Sequence, residues 1–112
     1  MKFFIQDAAQ HDLLSQVEWY AQKGLLDIAR RFGMAAVATI HALIDMPQAG
    51  APKASANPQL AGLRTWPVKG FDEFRIYYLV RPGLLTIVRI LHRKRDADTI
   101  LDWQGADEPN LQ

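Results

Sequence analysis

Residues 60–96 read LAGLRTWPVKGFDEFRIYYLVRPGLLTIVRILHRKRD and hold three short β-type runs separated by tight turn signals. Gly70 marks one turn, and Arg81-Pro82-Gly83 places Pro and Gly at the two central positions of a type II turn. Runs joined this closely pair with each other, so this part of the chain is constrained to an antiparallel sheet. The same stretch carries eight of the chain's thirteen Lys and Arg: Arg64, Lys69, Arg75, Arg81, Arg89, Arg93, Lys94 and Arg95. Only Asp72 and Glu73 oppose them before Asp96. A small sheet this basic requires an acidic partner or a place near nucleic acid.

The runs differ in kind. Leu63–Lys69 contains Pro67, which cannot donate to a ladder and so belongs at an edge or a bulge. Glu73–Val80 alternates Phe74, Ile76, Tyr78 and Val80 against Arg75, Tyr77 and Leu79. Leu84–His92 is almost continuously apolar, the pattern of a central strand buried on both faces.

The first half reads as helices. Lys2–Ile5 is a short apolar run that fits a first strand. Asp7 followed three residues later by Gln10 is a capping-box pattern, opening a helix over about 8–23 that Gly24 stops. Leu13, Leu14, Val17, Tyr20 and Ala21 form its apolar stripe. A second helix spans about Leu26–Ile44, with Ile28, Phe32, Ala36, Ile40, Leu43 and Ile44 on one face and Pro47 ending it. Gly33 within it suits a close helix crossing. The short link makes the pair an antiparallel hairpin. Residues 47–62, rich in Pro, Gly, Ala and Ser, read as a mobile loop.

The layout is therefore α+β: β-αα-βββ, a helical hairpin on one face of a small antiparallel sheet. Residues 97–103 add at most a last helical turn, which leaves the other sheet face uncovered. That face displays Arg75, Tyr77, Leu79 and Arg81, a candidate binding surface. The 112 residues form one domain over 1–104, with a frayed acidic tail at 105–112. Residues 96–112 hold five acids and no Lys or Arg, so this tail could screen the basic sheet.

Several function classes drop out. With no cysteine there is no disulfide, thiolate nucleophile or Cys-based zinc site. His and carboxylates show no metal-ligand spacing, so neither metal nor other cofactor is expected. The N-terminus MKFFIQDAAQHDLL lacks a signal-peptide pattern and no apolar run approaches a membrane span, which suggests a soluble cytoplasmic protein without a membrane partner. His11 and His41 lie on the helices and read as surface residues. Trp66, ahead of Pro67, reads as an anchor of the edge strand.

From Phe3 to about Leu101 the chain resembles the RelE/ParE superfamily of toxins from bacterial type II toxin–antitoxin systems. The resemblance is carried by the short first strand, AAQHDLLSQVEWY opening the first helix, ARRF in the second, then GLRTWPVKGFDEFRIYYLV and IVRILHRKRD. The last runs are more similar to the ParE-like branch. That resemblance implies inhibition of DNA gyrase, a plasmid-stabilisation type of role, and neutralisation by a cognate antitoxin with an acidic, partly disordered C-terminal segment. Operator DNA would be reached only through the antitoxin. On this reading Arg75, Tyr77, Leu79 and Arg81 contact the antitoxin, and Arg93, Lys94 and Arg95 are candidates for target contact. Trp19 serves either packing or a contact with gyrase or a second copy, and its position in the sequence does not choose.

The RelE-like alternative is an endoribonuclease acting on the ribosome and its mRNA. Cleavage through the 2′-hydroxyl needs a base, an acid and cations for the phosphorane. Arg75, His92 and Arg95 would be the catalytic set, with Arg89, Arg93 and Glu73 as further candidates. Against it, Asp96, Ala97 and Asp98 stand where RelE-like nucleases commonly place a Tyr. Strict alternation would also put His92 with Val88 and Ile90, and Arg89 with Leu91 on the opposite face. No catalytic residue is therefore expected. A third possibility is a non-toxic member that only binds its antitoxin.

Overall fold

A computed structural model describes residues 1–104. The chain runs β1 (Lys2–Ile5), α1 (Asp7–Gln22), α2 (Leu26–Asp45), β2 (Ala51–Pro52), a 3-10 turn (Pro58–Leu60), β3 (Arg64–Val68), β4 (Phe71–Arg81), β5 (Leu84–His92) and α3 (Ala97–Asp102). The strands form one sheet in the order β1-β5-β4-β3-β2. The α+β layout read from the sequence holds. The sheet is mixed rather than antiparallel, because β1 lies parallel to β5, with Lys2 opposite Leu84 and Ile5 opposite Ile87. A parallel pair needs a long crossover, and the helical hairpin supplies it.

The α2 stripe packs as its spacing predicts: Phe32, Ala36, Ile40 and Leu43 are buried. They meet Phe74, Ile76, Tyr78, Leu85, Ile87 and Ile90 from the sheet. Phe32 is the hub, with its ring 4.9 Å from Phe74 and 5.2 Å from Phe71. Burying one such ring contributes on the order of 2 kcal/mol. α1 begins at Asp7, and Gln6 holds the cap position without a side-chain bond. The expected capping box is therefore absent. Gln10 instead turns its amide back to the Ile5 carbonyl at 3.2 Å, tying the helix start to the end of β1.

Pro67 sits at a register shift between β3 and β4, as its missing N–H requires. The segment 47–62 is tied down rather than loose. Tyr78 Oη donates to the Pro47 carbonyl at 2.9 Å and accepts from Gly50 N at 2.8 Å. The Arg64 guanidinium donates to the carbonyls of Gly50 and Gln48 at 2.6 and 3.2 Å.

The face opposite the hairpin is not open. The 3-10 turn and α3 lie over it, and Leu60, Leu63, Tyr77, Leu79, Val88, Leu91 and Leu101 form a second core. Tyr77 and Leu79, expected on an exposed surface, are only 6% and 4% exposed. The cause is the pair Ile100-Leu101, which gives the short α3 an apolar side to dock. The proposed frayed tail, 105–112, lies outside the described residues. The tail acids that are described do not screen the sheet arginines. Asp98 pairs with Lys53, Asp102 binds Ser55 Oγ and Ala56 N, and Asp96 caps Thr99.

Candidate functional site

The eight basic residues of the sheet have divided fates. Arg64 braces the 47–50 segment. Arg75 Nε donates to Thr65 Oγ1 at 3.0 Å, and Arg81 donates to the Ala61 carbonyl at 3.2 Å. Arg89 is held by Asp12, with Nε to Oδ2 at 2.7 Å and the terminal nitrogen to Oδ1 at 2.8 Å. Among the described residues, Lys69, Arg93, Lys94 and Arg95 are exposed and make no side-chain hydrogen bond or ion pair. The uncommitted positive charge thus gathers at the exit of β5.

A β-bulge creates this arrangement. Tyr77 faces Arg89 but Tyr78 faces Ile87, so Val88 is the extra residue on β5. The alternation slips there. Val88 joins Leu91 in the α3-side core, whereas Ile90 and Ile87 stay with the helical hairpin. Strict alternation had grouped Val88 with His92, and the bulge overturns that grouping. Arg89 turns toward α1 and finds Asp12, whose Oδ2 also accepts from the Ile90 N–H at 2.9 Å. With side-chain exposures of 16% and 7%, the pair is mostly buried. The Asp12 hydrogen bond raises the Arg89 pKa above its ordinary value, against the opposing pull of burial.

His92 lies opposite Phe74, with ring centroids 5.0 Å apart, on the hairpin side of the sheet. Its Nδ1 accepts from Lys94 N at 3.0 Å. Arg75 lies opposite Leu91, on the α3 side. The sheet therefore separates Arg75 from His92, and Arg75, His92 and Arg95 do not assemble into one catalytic set. Glu73 pairs through its backbone, its carbonyl accepting from Arg93 N at 2.7 Å.

Between α1 and the ends of β4 and β5 runs an open groove of about 720 Å³, lined by His11, Ser15, Trp19, Glu73, His92 and Arg95 among others. His11 and Ser15 share a 3.2 Å hydrogen bond on one wall. Trp19 stands half exposed at 50%, its ring against Tyr20 and below the Lys23 ammonium. His41 is exposed, edge-on to Phe3. Trp66 packs against the hairpin-side core, as an edge anchor would. Among the described residues no group of three or more His, Asp or Glu could hold a metal ion, and no helix is long and apolar enough to cross a membrane.

Asp12 was missed in reading the sequence, although it leaves a signal. Ala9, Asp12, Leu13, Gln16 and Tyr20 fall at helical spacing, so a carboxylate sits inside the inward stripe of α1. A buried carboxylate demands a cation. The cover formed by α3 was also missed, and its signal is the isolated Ile100-Leu101 pair in an acidic stretch.

A helical hairpin over a mixed sheet, with a basic strand exit beside an exposed tryptophan, defines a small α+β domain. Residues 3–97 match the family described as the ParE toxin of type II toxin–antitoxin system, parDE. The chain belongs to that family. Its fold is similar to a chain in the solved structure "Chromosomal ParDE TA system from P. aeruginosa", with a TM-score of 0.66 and 21% identity. That similarity covers 82% of this chain and 95% of the other. No curated protein matches the sequence.

Proposed function

We propose that this chain is a ParE-type toxin that inhibits DNA gyrase in the bacterial cytoplasm and is silenced by a cognate, acidic antitoxin. The observation that carries the reading is the match to the ParE toxin family over residues 3–97. The geometry of the β5 exit supports it. Arg93, Lys94 and Arg95 are exposed cations whose side chains make no hydrogen bond or ion pair, next to a groove walled by Trp19, and Trp and Arg are common contact anchors. The RelE-like alternative loses support, since Arg75 and His92 sit on opposite faces and the His92 Nδ1 lone pair is engaged by Lys94 N. The protein on this reading performs no chemistry of its own. Antitoxin contact is assigned to the rim of the α3-covered face at Arg75 and Arg81, since Tyr77 and Leu79 lie buried under α3, and operator DNA is reached only through the antitoxin.

The test is to induce this chain alone in bacteria, pulse-label DNA and protein synthesis, and trap gyrase–DNA adducts with detergent. DNA synthesis should stop first, with cleaved gyrase complexes accumulating. If translation stops first, the gyrase reading fails and ribosome-dependent cleavage takes its place. If neither stops while the antitoxin still binds, the chain is a binding-only member of its family.

A further inference from the structure

We propose that the groove between α1 and the ends of β4 and β5 binds a nucleotide, with the base stacked on Trp19 and the phosphate held by Arg95. This goes beyond the target contact drawn above and does not rest on it. The nucleotide is either free or one unit of a single strand, and the experiment below separates the two.

Both walls of the groove are fixed by the fold. His11, Ser15 and Trp19 recur every fourth residue along α1, and Gln16 and Tyr20 follow one position behind, so one side of the helix makes the first wall. Glu73, His92 and Arg95 make the second. Arg93 N donates to the Glu73 carbonyl at 2.7 Å and Arg95 N to the His92 carbonyl at 2.9 Å, which ties this wall together. The Asp12–Arg89 pair braces the floor. Elsewhere on the sheet the arginines are spent on the fold, since Arg64, Arg75 and Arg81 each have partners. Here the polar groups are unspent. Among the described residues the side chains of Gln16, Tyr20, Glu73 and Arg95 make no hydrogen bond or ion pair, and neither does the Trp19 indole N–H. The His92 ring uses Nδ1 for Lys94 N and leaves Nε2 without a partner. Unpaired donors and acceptors thus border one groove of about 720 Å³. Small-molecule sites span about 300–1,000 Å³.

The residue types select the ligand. Trp19 is half exposed and packs edge-on against Tyr20 at 5.5 Å, which holds the indole steady with a face open to solvent. The Lys23 ammonium now lies 5.5 Å from the centre of that ring, a weak contact at an exposed site. An entering base exchanges it for a stacked one, which is stronger and available to any base. Asp12, one acid of the groove, is taken by Arg89 and Ile90 N, so Glu73 is the carboxylate left to accept from the N–H groups on a base edge. Arg89 is likewise taken, so Arg95 is the guanidinium left for an anion, and its paired N–H groups suit phosphate. A flat ring, a donor edge and a phosphate together describe a nucleotide.

The experiment titrates the nitrogen-labelled full chain with guanosine monophosphate, whose base edge carries N–H donors, and follows the amide and indole resonances. The Trp19 indole, assigned by its loss in Trp19→Phe, should shift together with the amides of α1 and of residues 92–95, while the indoles of Trp66 and Trp103 stay in place. Guanosine, which lacks the phosphate, should bind roughly tenfold or more weakly. Trp19→Ala should weaken nucleotide binding roughly tenfold or more, and Trp19→Phe, which keeps a ring, should lose less. Arg95→Ala should weaken it as well, whereas Lys69→Ala, an exposed cation outside the groove, should not. A guanine-containing single-stranded trinucleotide that binds at least about tenfold tighter identifies a strand as the source, and equal affinity identifies a free nucleotide. Shifts from neither the mononucleotide nor the trinucleotide overturn the proposal. So does a Lys69→Ala loss as large as that of Arg95→Ala, which marks general attraction between a basic surface and an anion. Either result leaves the gyrase reading standing, because that reading is judged by the order in which DNA and protein synthesis stop.

Discussion

Asp12 and Arg89, 77 positions apart in the chain, meet through two parallel hydrogen bonds that join α1 to the bulge of β5. The pair is mostly enclosed, and Asp12 also satisfies the Ile90 N–H. Removing the carboxylate leaves the part-buried Arg89 guanidinium with only its Gln104 bond and the Ile90 N–H without its acceptor. Asp12→Ala should therefore lower unfolding free energy by about 3 kcal/mol, a value for breaking rather than replacing a buried pair. Urea denaturation measures it. A loss no larger than that of an exposed Asp→Ala control would show the pair to be ordinary surface chemistry.

Gly50 and Tyr78 form a second fixed point. A Cβ on Gly50 would lie 2.4 Å from Tyr78 Oη and 2.9 Å from the Thr65 carbonyl oxygen. Backbone cannot move aside cheaply, so Gly50→Ala should destabilise the fold by about 2 kcal/mol or more. Thermal melting of the variant is the check, and an unchanged midpoint contradicts the packing described.

Burial raises the Tyr78 hydroxyl above its ordinary value of 10.0, outweighing the Gly50 and Arg64 contacts that lower it. The folded protein therefore holds this proton more firmly than the unfolded chain. Its contribution to stability is complete below pH 10.0 and is lost as pH rises through the raised folded value. Denaturation midpoints should fall above pH 10.0, and Tyr78→Phe should flatten that decline while lowering stability at neutral pH. The neutral-pH cost is about 1–3 kcal/mol, because Gly50 N loses its acceptor.

Gly33 behaves in the opposite way. A Cβ there would sit 3.7 Å from Val17, an ordinary contact, so the helix crossing does not require glycine. Gly33→Ala should stabilise the protein by about 0.5–1 kcal/mol through helix propensity alone. A calorimetric melt that moves downward would reveal a crossing tighter than the structure has it.

How far the sequence could be read follows from which signals are local. The α2 stripe, the Pro82-Gly83 turn and the Pro67 irregularity each depend on a few neighbouring residues, and each lies where its pattern puts it. The bulge at Val88 has no such local mark. One extra residue in a run of uniformly apolar side chains leaves no change in pattern, yet it reverses the facing of half the strand. The partner of β1 is equally silent, because parallel pairing with β5 depends on the whole hairpin lying between. As for the site, the basic stretch was legible as composition. Which arginines are spent on Asp12, Thr65 and Ala61, and which remain free, is decided by tertiary contacts.

The division of the arginines makes a functional prediction. Arg93→Ala, Lys94→Ala and Arg95→Ala combined remove charge that supports no fold contact. Stability should change by less than about 0.5 kcal/mol, as at other free surface positions. Growth arrest on induction should be lost or weakened at least tenfold in induced dose. His92→Ala, by contrast, should retain the arrest. Loss of toxicity in a folded His92→Ala protein, with the triple variant still toxic, would sink the target-contact assignment.

The parallel pairing of β1 with β5 has a consequence for synthesis. Residues 2–5 are made well before their partners, which begin at Leu84 and follow some 80 residues later. At roughly 5–20 residues per second that is a wait of several seconds. The helical hairpin forms from contacts within itself meanwhile, while the sheet stays open at its centre. Both cores draw on β5, so neither can close on a nascent chain that stops short of it. A chain interrupted before β5 can therefore complete neither core, and yields no folded domain.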